Sequence, residues 1–77
     1  MSHFVLDARN LMCPMPVIRT QNRIAELQPG DTLKVHATDP GALHDIPVWC
    51  RVHGHTVTET HREASEITIT VRVGGTA

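Results

Sequence analysis

The chain is poor in aromatic residues, with one Trp, one Phe and no Tyr among 77 residues. Stacking of bases on aromatic faces therefore has almost nothing to work with, and the packing has to come from Ile, Val and Leu. Net charge is also scarce: seven Lys and Arg against eight Asp and Glu leave −1. Polyanion-binding surfaces need clustered positive charge, so autonomous nucleic-acid binding is not expected. Cysteine occurs twice, at Cys13 and Cys50, too few for the disulfide frameworks of small secreted domains. No apolar run approaches the roughly 18–20 residues that span a bilayer, and the segment Met1 to Asp7 lacks the charged-then-apolar order of a secretory leader. The expectation is a soluble, cytoplasmic protein with reduced thiols and no membrane contact. What is present, 40% apolar and 19% charged residues, is the composition of one ordinary globular domain.

Periodicity assigns the elements. Phe4 to Leu6 reads as a short strand before the turn-prone Asp7-Ala8-Arg9-Asn10. Val17, Thr20, Ile24 and Leu27 recur at helical spacing, with Arg19, Arg23 and Glu26 opposite, and Pro29-Gly30 closes that helix. Leu33, Val35 and Ala37 alternate with Lys34, His36 and Thr38 as a half-buried strand. Asp39 is placed to cap a second helix opened by Pro40, with Ala42, Leu43, Ile46, Trp49 and Cys50 on its apolar side. Pro47 interrupts that stripe, which predicts a short first turn, a break near Asp45 and a main helix from Ile46 to His53. Gly54 suits the left-handed position beyond it. A Thr-rich edge strand, His55 to Arg62, then turns at Glu63-Ala64-Ser65 into the strand of Ile67, Ile69, Val71 and Val73. The order β-α-β-α-β-β predicts an α/β two-layer sandwich, a four-stranded mixed sheet with two helices on one face. It forms a single domain over 1–77, with 74–77 as a flexible tail.

The segment carrying chemistry is Leu11-Met12-Cys13-Pro14-Met15-Pro16-Val17. With Cys13 as cap, Pro14 and Pro16 fall at the first and third helical positions, where missing amide hydrogens cost little. The helix's positive end and the amide of Met15 would then favour a thiolate, able to attack sulfur or to carry it as a persulfide. No charged residue lies between Met12 and Ile18, which leaves the helix terminus as the only local activator. The same residues also fit a small buried cysteine ahead of an ordinary proline-opened helix.

These residues, together with Leu6-Asp7-Ala8, Leu27-Gln28-Pro29-Gly30-Asp31, Ala37-Thr38-Asp39-Pro40 and Asp45-Ile46-Pro47, resemble the TusA (SirA-like) family of sulfur carriers over nearly the whole chain. The resemblance implies a β-α-β-α-β-β sandwich. It implies that Cys13, supported by Pro14, Met15 and Pro16, is catalytic: it accepts persulfide sulfur from a cysteine desulfurase or rhodanese-like donor and relays it to a DsrE-like or other acceptor protein. Neither metal nor organic cofactor is implied. The pathways served by such relatives are tRNA thiolation, molybdenum-cofactor synthesis and sulfur oxidation. Where family members often carry a Lys or Arg pair midway along the first helix, this chain has Gln21 and Asn22; Arg19 and Arg23 are placed to dock an acidic partner instead. The competing reading is a non-catalytic regulatory or adaptor module that binds a partner through the helix entrance.

Other features carry less. Cys50, on an apolar stripe, reads as a buried inert thiol. His53, His55 and His61 lack zinc spacing, and His53 and His55, at a helix end and a strand start, need not converge. Gly74-Gly75 is similar to the diglycine of ubiquitin-like sulfur carriers, but Thr76 and Ala77 follow it, and a flexible tail is the expectation.

Overall fold

In the computed structural model, which describes residues 1–74, the order of elements is β1 (His3–Ala8), α1 (Met15–Ile24), β2 (Thr32–Ala37), α2 (Ala42–Val52), β3 (Thr56–Glu63) and β4 (Glu66–Arg72). The sheet order is β1-β2-β4-β3. β1 and β2 run parallel, with Leu6 opposite Val35 and Ala8 opposite Ala37. The other two pairings are antiparallel. Alternation sends Leu33, Val35, Ala37, Ile67, Ile69 and Val71 to one face, all essentially without exposure, while Lys34 and Arg72 face out. Ile24, Ala42, Ile46 and Cys50 close the same core from the helices, with α1 against β1 and β2 and α2 against β3 and β4. The expected two-layer mixed-sheet sandwich is therefore the observed one, and β3 is an edge strand as read from its Thr content. No described helix is long and apolar enough to cross a membrane.

Several boundaries differ from the sequence reading. β1 extends to Ala8 because that small residue is fully buried opposite Ala37. α1 stops at Ile24, before Pro29-Gly30. The next turn tightens, with Glu26 N–H donating to Arg23 O and Leu27 N–H to Ile24 O, and so brings Leu27 against the core. The break predicted near Asp45 does not occur, and α2 runs unbroken through Pro47. Ala42, Leu43 and His44 each donate to the carbonyl three residues back, a tight first turn ahead of the proline. Ala42, Ile46 and Cys50, all fully buried, hold both sides of the proline on one line. Asp39 stands before the tight turn as expected, its Oδ1 accepting Gly41 N–H at 3.2 Å, while the α-helical part begins only after Gly41.

Gly54 has the expected positive φ, +82°. Gly74, assigned to a loose tail, is instead docked: its N–H donates to His55 Nδ1 at 3.0 Å, and an added Cβ would lie 1.8 Å from Gly54 O. The rest of that expected tail, 75–77, lies outside the described residues. Asp31, not singled out from sequence, is 7% exposed and accepts N–H bonds from Ser2 and Gln28. The bonds from Gln28 and Ser2 hold its carboxyl below the usual range.

Candidate functional site

Parallel pairing puts the loops that follow β1 and β2 at the same end of the sheet. After Ala8 the chain reverses through Asn10, whose φ is +65°. The two loops are then joined by hydrogen bonds. Asn10 N–H donates to Thr38 Oγ1 at 2.9 Å, and Cys13 N–H donates to Asp39 Oδ2 at 2.7 Å. Asp39 Oδ1 receives Gly41 N–H at 3.2 Å, so one carboxylate links the cysteine loop to the start of α2. From that helix Asp45 reaches back, and Cys13 Sγ–H donates to its Oδ2 at 3.3 Å. Cys13 is exposed.

The positions of the prolines shift by one from the sequence reading. Pro14 is the boundary residue, Met15 begins α1, and Pro16 is its second residue. Cys13 therefore precedes the cap. Met15 N–H is taken by Met12 O at 2.9 Å and is not available to the sulfur. Pro16 is buried, and its carbonyl accepts the hydroxyl of the fully buried Thr20 at 2.8 Å, which fixes the first turn to the core.

The electrostatic expectation is reversed. Instead of a stabilised thiolate, the two carboxylates, Asp39 foremost and Asp45 next, push the Cys13 thiol up to about 12. The same bonds, with that from Gly41, hold Asp39 below the ordinary carboxylate range. Sequence reasoning missed these residues because they are remote along the chain. The signal was the β-α-β order, which brings the residues just after two parallel strands together.

Gly41 makes the approach of α2 feasible. A Cβ there would stand 2.9 Å from Cys13 Sγ, although its backbone, φ −60° and ψ −26°, suits any residue. Gly41→Ala is therefore expected to leave thermal stability nearly unchanged and to push the sulfur off Asp45. The measurement is iodoacetamide alkylation of Cys13 at mildly alkaline pH, which should rise several-fold as the thiol loses its acceptor.

Beyond these carboxylates the cysteine loop and the helices expose apolar side chains. Met12 is 79% exposed, and Met15, Ile18 and Val48 lie between 37% and 40%; a shallow groove beside Pro14 continues along Val17, Val48, Trp49 and Val52. Arg19 is exposed. Arg23 is engaged elsewhere, 2.9 Å from Glu26 and over the Phe4 ring at 4.9 Å. Cys50 is fully buried, and burial pushes its thiol up to about 11. His53 and His55 both lie against Trp49, the His53 ring tilted at a centroid distance of 4.7 Å and the His55 ring stacked at 5.4 Å. Among the described residues, no three His, Cys, Asp or Glu side chains gather as metal ligands would.

Comparison with known proteins bears on this arrangement. The family model described as Sulfurtransferase TusA matches residues 4–73. Sulfur carrier protein TusA of Pseudomonas aeruginosa is 47% identical over 60 residues, covering 78% of this chain and 76% of that protein. YrkI of Bacillus subtilis is 41% identical over 70 residues, 91% of this chain and 93% of YrkI. YrkF of the same organism is 39% identical over 71 residues, 92% of this chain but 38% of YrkF, so this chain spans well under half of that relative. The crystal structure of a SirA-like protein from Desulfitobacterium hafniense superposes with a TM-score of 0.81 at 25% identity, covering 92% of this chain and 97% of that one. The matched span contains all six elements except His3 at the start of β1, together with the whole Cys13 corner, and the chain belongs to the TusA family.

Proposed function

We propose that this protein is a sulfur carrier in which Cys13 accepts sulfane sulfur from a donor persulfide, holds it as Cys–S–SH and yields it to an acceptor thiol. The observation that supports this most is the contrast between the two thiols: Cys13 is exposed on a rim braced by two loops, and Cys50 is sealed in the core. In loading, a bond forms between Cys13 Sγ and the outer sulfur of the donor, the donor's S–S bond breaks, and the thiol proton passes to the departing donor sulfur. Nothing is oxidised or reduced overall, so the exchange is reversible and the partners set its direction. The donor is a cysteine desulfurase or rhodanese-like protein, and the acceptor is a DsrE-like or other protein thiol. Which acceptor docks decides whether the sulfur serves tRNA thiolation, molybdenum-cofactor synthesis or sulfur oxidation. Both thiols being free fits a reducing compartment such as the cytoplasm.

Incubation with a cysteine desulfurase and cysteine is expected to add about 32 Da per transferred sulfur to the intact mass. Peptide mapping should place the increment on Cys13. No gain, or a gain on Cys50, would refute the proposal. The apolar rim and the weakened acidity of the Cys13 thiol also suit an adaptor module that docks a partner without chemistry, and absence of the mass gain would favour that second reading.

A further inference from the structure

The donor set around Cys13 extends beyond holding a loop in place. Sγ–H and the Cys13 amide point at two different carboxylates, Asp45 at 3.3 Å and Asp39 at 2.7 Å. The residue just before α2, Gly41, is a glycine, which leaves room for the sulfur. Neither carboxylate has a cationic partner among the described residues, whereas Asp7 is matched by Arg9 and Glu26 by Arg23. From the β1 side, Arg9 is tied to Asp7 and Glu66. On α2 the exposed His44 adjoins Asp45, and the first turn of α1 has no acidic residue.

We propose that Asp39 and Asp45 are positioning residues that keep Cys13 a neutral thiol while the protein is free, and that the surface exchanging sulfur with it presents a Lys or Arg to these carboxylates. This rests on the sulfur-carrier reading. The approaching cation cancels the negative potential at Sγ and makes the thiolate accessible only at the moment of docking. With the carboxylates matched by the cation, Sγ gives its proton to solvent, the thiolate attacks the outer sulfur of the donor persulfide, the S–S electron pair leaves with the donor sulfur, and that sulfur takes up a proton from solvent. An anionic surface is repelled by the same pair. The upward shift of the Cys13 pKa and the downward shift of that of Asp39 agree with the geometry. A resting thiol of this kind is also protected from stray oxidants, because the thiolate is the reactive form.

The test uses the full chain and two small disulfides, cationic cystamine and anionic dithiodipropionate, with mixed-disulfide formation at Cys13 followed by mass. Each rate is divided by that of mercaptoethanol with the same reagent. Cystamine is expected to be favoured roughly tenfold or more at low ionic strength, with the preference shrinking as salt is added. In Asp45→Asn the preference should narrow, and the pH profile of iodoacetamide alkylation should move down towards the ordinary cysteine range, about 8.5. Asp39 also holds the Gly41 amide, so Asp45→Asn is the informative variant, and the wild-type comparison needs no variant. Equal normalised rates, or a preference and pH profile unmoved in Asp45→Asn, would overturn the proposal. Small disulfides react without any sulfur delivery, so a protein that shows the preference yet gains no sulfur from a desulfurase fails only the carrier reading. One that loads sulfur without the preference fails only this one.

Discussion

Cys13→Ser is expected to lose sulfur loading completely, while Cys50→Ala retains it. A serine hydroxyl is far too weak an acid to supply an anion near neutral pH, and it cannot form the sulfur–sulfur bond that defines the carried state. The substitution replaces the Sγ–H donor to Asp45 with a hydroxyl donor and leaves the backbone bond of residue 13 to Asp39 available, so the fold should persist. Cys50 is fully buried beneath α2, and its thiol is pushed up to about 11 by desolvation. Truncating it to alanine removes only packing, a cost of about 1–2 kcal/mol by comparison with other small core deletions. Intact mass after desulfurase treatment checks both variants. Loading by the Cys13 variant, or its disappearance from a folded Cys50 variant, would contradict the assignment.

Gly74→Ala should produce the largest loss of stability among single-methyl additions to this chain. The added carbon would stand 1.8 Å from Gly54 O, and both atoms belong to backbone, so no side chain can swing aside. Relief requires pulling the strand exit away from the α2–β3 turn. That movement threatens the bond from Gly74 N–H to His55 Nδ1 and, behind it, the pairings of Val73 with Gly30 and Asp31. Overpacking of this sort costs roughly 3 kcal/mol, which in a domain this small lowers the melting midpoint by about 12–24 °C. Thermal unfolding followed by circular dichroism measures it. A midpoint within a few degrees of wild type would mean that the two turns do not meet as described.

Much of the architecture was legible because each element carries its own period. Leu33, Val35 and Ala37 alternate, and Ile67, Ile69, Val71 and Val73 do so again, whereas at Pro47 the local rule misled. Its effect was overridden by a buried stripe on both sides of it, a tertiary fact with no local trace. The same holds for Gly74, whose need for glycine comes from a turn twenty residues earlier. At the site, the identity of the sulfur could be read and its ionisation could not. Local sequence shows a helix end and no charge, which favours an anion. Asp39 and Asp45 lie more than two dozen residues away and become neighbours only when β1 and β2 pair side by side. Pairwise electrostatics depends on distances that the linear order conceals.

The position of β4 between β2 and β3 has a consequence for biosynthesis. This strand supplies Ile67, Ile69 and Val71 to the core, with Val73 just beyond it, and without it β2 has no antiparallel neighbour and β3 has no neighbour at all. A nascent chain that has emerged from the ribosome only through the hairpin turn cannot yet enclose its apolar stripes. Folding must therefore await the exit of residues near 73, and until then the thiol corner is unassembled and its cysteine is an ordinary one.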